Sequence, residues 1–170
     1  MVQIHSAATA KTLGECTPGE LIFFQFNRGQ SWAIVLEQDE ARHTLVGLLT
    51  FRDDETPGPI YDTWLKRFPC LSFGTDWAVK PLSDSDSYAG NRPMMIEAGV
   101  LICDRDRWLV CFSTASNKPH YELYFDLTNS SIGSEPSQVA APFRSWEAWE
   151  SIDQVGRSGK PLFDMGKQDV

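Results

Sequence analysis

The sequence predicts a mainly β domain, α+β only at its margin, in which two antiparallel meanders form a small barrel or sandwich. Three observations carry that expectation. Between Gly19 and Thr50 three apolar runs of strand length follow one another: Glu20 to Phe26, Trp32 to Leu36 and Thr44 to Leu49. Polar breaks separate them at Asn27-Arg28-Gly29-Gln30 and at Gln38 to Arg42, the pattern of consecutive hairpins. The second half repeats the theme at Met94 to Cys103, Trp108 to Thr114 and Tyr121 to Leu127. The third observation is composition. In 170 residues, 42% are hydrophobic and 22% charged, with six Trp and ten Phe, which supports one aromatic-rich core.

The elements follow in order. Residues 1–17 read as an N-terminal lead-in, with Ser6 to Leu13 either a short helix ended by Gly14 or a flexible segment. Pro18-Gly19 turns the chain into the first meander, and the single domain runs over residues 18–155. Arg52 to Pro59 is a loop, because Asp53-Asp54-Glu55 and Pro57-Gly58-Pro59 resist regular structure. Asp62 suits the N-cap of a short helix over 63–68, with Trp64, Leu65 and Phe68 inward and Pro69 as its stop. Leu71-Ser72-Phe73 is too short to assign. Asp76 to Lys80 reads as a short strand ended by Pro81, and residues 83–93 as the main internal loop. Asp104-Arg105-Asp106-Arg107 is the tip of a hairpin in which Cys103 faces Trp108 and Cys111 faces Val100. Thr128 to Gln138 is Ser-rich and turn-like. Ser145 caps a last helix over 146–155, where Trp146, Trp149 and Ile152 recur at helical spacing, and residues 156–170 form a C-terminal tail.

The formal charge of −8 is spread along the chain. An acidic surface repels phosphate backbones, so the charge disfavours nucleic-acid partners. No run approaches the roughly 18 apolar residues of a membrane span, and the first residues lack a signal-peptide core, so the expected location is a bacterial-type cytoplasm. The cysteines, Cys16, Cys70, Cys103 and Cys111, fit no zinc or redox spacing, and all four are expected to be reduced.

The candidate chemistry is sparse. Asp104 and Asp106 have a spacing that two carboxylates on a divalent cation use, but a charged hairpin tip explains them equally, and no metal or cofactor is expected. His5, His43 and His120 are the only histidines. His120 and Glu122 share one side of a strand, the geometry of a general base with an orienting carboxylate and equally of an ordinary solvated face. No phosphate cradle, nucleophile elbow or zinc-protease motif is present.

Pro18 to Phe26, Trp32 to Leu36 and Leu45 to Thr50 together resemble the start of the plasmid-maintenance endoribonuclease toxins with an SH3-like barrel. Those proteins open on a Pro-Gly-Asp-type turn into an apolar strand, followed by an Ala-Leu-Val-like second strand and a third that ends near Thr. The family's basic loop between the first two strands corresponds to Asn27-Arg28-Gly29-Gln30 here. The resemblance covers residues 18–50 and implies barrel topology for that half.

The expected function is a non-enzymatic binding or protein-interaction module. Its partner is a protein or a small-molecule ligand, contacted through Trp32, Arg52, Trp77 and Tyr88. The alternative is a small hydrolase or ribonuclease with His120 or His43 as general base, Glu122 or Asp53 as its partner, and Arg28 or Arg52 as a clamp on developing charge.

Overall fold

The computed structural model describes residues 8–26, 29–39, 44–50, 59–62, 66–82, 98–113, 122–157 and 159–166. Its architecture is mostly β and antiparallel throughout. The first meander forms as the sequence predicts. Strand β2 (Leu21–Phe26) pairs with β3 (Gly29–Gln38), and β3 with β4 (Thr44–Leu48). A bulge between Val35 and Glu37 shifts the β3–β4 register. Three further strands complete this sheet: β1 (Thr9–Thr12), β5 (Pro59–Asp62) and β6 (Pro69–Ser72). Its six-stranded order is β1-β6-β2-β3-β4-β5, so β6 inserts between the two earliest strands.

The second sheet has the order β11-β10-β9-β8-β12. It consists of β8 (Leu101–Asp104), β9 (Arg107–Ser113), β10 (Glu122–Asp126), β11 (Ser131–Gly133) and β12 (Ala141–Phe143). The central hairpin has the expected register, Cys103 opposite Trp108, and turns through Arg105-Asp106 with Arg105 at φ 59°. A third sheet, β14-β13-β7, joins β7 (Ala78–Pro81), β13 (Trp146–Trp149) and β14 (Phe163–Met165). Each sheet runs from one edge strand to the other without returning on itself. The strands are therefore open sheets packed face to face, and not a closed barrel.

Four expectations need correction. The segment 146–155 is not a helix: it is β13 followed by a single 3-10 turn, Ile152–Gln154. Trp146 and Ala148 enter the core, while Glu147 lies on the other side opposite Lys80, which is the period of a strand. The stretch assigned to a helix or a flexible lead-in instead gives β1 and a 3-10 turn, Leu13–Glu15. Asp62 ends β5 and caps nothing helical there. Residues 66 and 67 form only a 3-10 turn, and Phe68 is exposed, because the chain must straighten at once into β6. Trp64 and Leu65 lie outside the described residues. Residues 163–165 of the predicted tail also contribute a strand. Among the described residues no helix is long and apolar enough to cross a membrane.

The main core lies where all three sheets meet. Leu21, Ile34 and Leu36 of the first sheet pack with Val110, Phe112 and Phe125 of the second and with Trp146 and Phe163 of the third. A separate cluster, including Ile22, Phe24, Val35 and Cys70, lines the opposite face of the first sheet. Gly47 shows how tightly the main core is filled. A Cβ there would stand 2.5 Å from Cζ and 2.8 Å from Cδ1 of the Phe112 ring. Gly47→Ala is therefore expected to destabilise by about 1–3 kcal/mol, since a packed core yields poorly to an added carbon. Chemical denaturation measures the cost, and Phe112→Leu in the Gly47→Ala background should recover part of it.

Candidate functional site

The residues of β6 alternate between exposure and burial, Leu71 facing one side and Cys70 and Ser72 the other. That alternation builds two different surfaces on one strand.

On the first face, register pairs align Ala10 of β1, Leu71 of β6, Phe23 of β2 and Trp32 of β3. Leu49 continues the row, its amide donating to the Trp32 carbonyl at 2.8 Å. Directly opposed residues in neighbouring antiparallel strands share a face, so this is one continuous apolar row. It is graded: Leu49 is fully buried, Phe23 and Trp32 are half-buried, and Leu71 is 43% exposed. The Trp32 ring is fixed by three others, with centroids 4.9 Å from Phe23, 5.0 Å from Phe73 and 5.1 Å from Phe163. Its backbone amide donates to Thr50 Oγ1 at 3.0 Å. The result is a rigid aromatic ledge that runs from the core to the β1 edge. Aromatic rings held this way present contact area without losing much conformational freedom on binding.

Trp77 is also half-buried, and its Nε1 donates to the Gly19 carbonyl at 2.9 Å. It lines a small open cleft of about 70 Å³ with Thr75, Val79, Phe125 and Leu127. Gly19 borders that cleft at φ +89°, where a Cβ would come within 2.8 Å of the Ser130 Cβ. Glycine meets both demands, the positive φ and the close approach.

The enzymatic candidates stand apart from this ledge. Glu122 is exposed at the start of β10, and its carboxylate accepts the phenol hydrogen of Tyr124. Burial, followed by that hydrogen bond, pushes the Tyr124 phenol well above its ordinary range. His43, His120, Arg28, Arg52, Asp53 and Tyr88 lie outside the described residues. Asp104 does structural work. Its carboxylate accepts from Ser137 Oγ at 2.5 Å, from the Ser137 amide at 3.1 Å and from Arg107 Nη2 at 2.6 Å. The Ser137 hydroxyl, and then Arg107, hold the Asp104 carboxyl below its usual range against the opposing effect of burial. Among the described residues no group of three or more His, Cys, Asp or Glu side chains is placed to hold a metal ion.

The second face of β6 holds a cluster that sequence reasoning missed. Glu20 is buried, and its carboxylate accepts both contacts from Lys11 Nζ at 3.0 Å. It also accepts from the Thr17 amide and hydroxyl, each at 3.0 Å, and from the Ser72 hydroxyl. Beside it the Cys16 and Cys70 sulfurs are 3.6 Å apart. The only signal in the sequence was the lone Glu20 at the mouth of an apolar strand.

No family model, curated protein or solved structure matches this chain. Function must therefore be argued from the ledge and the buried cluster themselves.

Proposed function

We propose that the protein is a non-enzymatic interaction module that takes a protein partner on the aromatic ledge at the β1 edge. The observation that carries this reading is the graded row Leu49–Trp32–Phe23–Leu71, which brings a preformed apolar surface out of the core to the rim of a sheet. A partner contributing an extended apolar segment would extend that row past Ala10 and bury Leu71. The net charge of −8 favours a partner with positive charge around that segment, through faster encounter more than tighter contact. Nucleic acid does not fit this charge. We take the module to act in the cytoplasm, where four free thiols are stable. The likeness of residues 18–50 to the toxin barrels bears on the topology of the first meander, and the reading draws no activity from it.

The test is Leu71→Asp. Leu71 is exposed, so the substitution should leave the melting temperature nearly unchanged, within about 0.5 kcal/mol of stability. Binding should weaken tenfold or more, as expected for loss of a central apolar contact. The wild-type and variant proteins are compared in crosslinking captures from the native host, and the shared partner is then titrated while Trp32 emission is followed. Equal capture by both proteins would refute the ledge. Turnover in an activity screen, with no partner recovered, would refute the module.

A further inference from the structure

Cys16 and Cys70 are 54 positions apart in sequence, yet their sulfurs lie 3.6 Å from each other. Both thiols are free and buried. The backbone enforces the contact. Lys11 of β1 is opposite Cys70 of β6, and the Leu13 amide donates to the Phe68 carbonyl at 3.0 Å, which fastens the 3-10 turn to the start of β6. The Cys16 amide then closes that turn on Leu13 at 3.2 Å. Neither sulfur can drift far while these pairings hold.

We propose that Cys16 and Cys70 form a reversible thiol–disulfide site, closed by a small hydroperoxide. A disulfide requires sulfurs about 2.05 Å apart, so the present contact must shorten by about 1.5 Å, a distance that side-chain torsion covers without moving a strand. Cys70 is the first to react. It retains 5% exposure where Cys16 has none, and the Cys16 thiol has a second acceptor in the Thr12 carbonyl at 3.5 Å. The hydrogen bond from Cys16 holds Cys70 below the ordinary thiol range, against burial and the Glu20 carboxylate, while Lys11 adds to the lowering. The same hydrogen bond, together with burial, pushes the Cys16 thiol up.

The chemistry balances in two steps. The Cys70 thiolate attacks one peroxide oxygen, the O–O bond breaks, and the departing hydroxide takes up the proton that Cys70 released, leaving a sulfenic acid and water. The Cys16 sulfur then attacks the Cys70 sulfur, the S–O bond breaks, and the departing hydroxide takes the Cys16 proton as a second water. Two thiols are oxidised by two electrons, and one peroxide is reduced. The new bond ties the turn after β1 to β6 and closes a loop that contains β2 through β5. Removing that loop's freedom from the unfolded chain should raise the melting temperature by about 5–15 °C.

The full-length protein decides this. It is treated with a few equivalents of hydrogen peroxide, denatured without reductant, alkylated and weighed. Untreated protein should take up four alkyl groups and treated protein two. Tryptic mapping should join the Cys16 and Cys70 peptides, and dithiothreitol should restore both the count and the original melting temperature. Cys16→Ser and Cys70→Ser should each abolish the link, and Cys103→Ser should not. Mapping of the wild-type chain is decisive even if a serine variant folds poorly. Four alkylations after peroxide, a link through Cys103 or Cys111, or over-oxidised Cys70 beside an unlinked Cys16 would each overturn the proposal.

Discussion

Replacing Trp146 by alanine is expected to lower the melting temperature by about 10–15 °C. Trp146 is fully buried and heads the largest side chains of the core. It stands at the junction of the sheets, in register with Pro81 of β7 and Met165 of β14, and packs in one cluster with Leu21 and Phe125. Its ring meets Phe163 edge-on, with centroids 5.7 Å apart and an interplanar angle of 67°. Its Nε1 donates to the Gly99 carbonyl at 2.8 Å. Truncating such a residue removes its transfer energy and leaves a cavity, about 3–5 kcal/mol together. In a chain of this size each kcal/mol is worth about 2–4 °C. Trp146→Phe keeps most of the ring but orphans the Gly99 carbonyl, so it should cost about 1–3 kcal/mol and fall between wild type and alanine. Thermal melts of the three proteins give the order. An alanine variant that melts within a few degrees of wild type would mean that Trp146 does not hold the third sheet.

Trp146 also shows where the sequence misleads. Trp146 and Trp149 are spaced three apart, which on a helix puts both rings on one side. On a strand the same spacing sends them to opposite sides. Trp146 enters the core, and Trp149 shares the other side with Glu147, whose carboxylate accepts from its Nε1 at 3.1 Å. Four residues are too few for periodicity to choose between these readings. The choice is made by β7 and β14, which supply backbone partners from distant parts of the chain.

The same cause separates the legible parts of the fold from the rest. The meander over β2, β3 and β4 and the hairpin of β8 and β9 pair neighbours in sequence across short polar breaks, so local pattern sufficed even for the Cys103–Trp108 register. Strand β6 pairs with β1 and β2 across a long excursion, and its sequence Pro-Cys-Leu-Ser is short and ambiguous. Both surfaces of interest depend on that insertion. Trp32 and Trp77 were visible as aromatics on short strands, but Leu71 and Phe73, which complete the ledge, were not. Cys16 and Cys70 meet only because β6 returns beside β1, a fact that no spacing rule contains.

Glu20→Ala is expected to cost about 3 kcal/mol or more, because it leaves a buried network without its anion. The Glu20 side chain is 5% exposed and the Lys11 side chain 30%, so the pair is mostly shielded from water. Without the carboxylate, Lys11, the Thr17 amide and the Ser72 hydroxyl all lose their acceptor. The pH dependence gives a sharper test. Burial opposes ionisation of Glu20, but hydrogen bonds from Ser72, Lys11 and Thr17 outweigh it and hold the carboxyl below its ordinary value of 4.5. A group whose folded pKa is depressed stabilises the protein above its unfolded pKa, and the benefit is lost as pH falls through the folded value. Wild type should therefore exceed Glu20→Gln in stability by a constant margin near neutrality, and the margin should shrink once pH drops below about 4.5. Lys11 lies on the opposite limb. The hydrogen bond to Glu20, against some burial, raises its pKa, so its contribution persists at neutral pH and fades only as pH climbs through that raised value. Asp104 is also depressed and also weakens wild type in acid, but it is common to both proteins and cancels in the difference. Melting temperatures of wild type and Glu20→Gln between about pH 7 and pH 3 carry the measurement. A gap that stays level or widens toward acid would show that Glu20 is not the charged centre of this cluster.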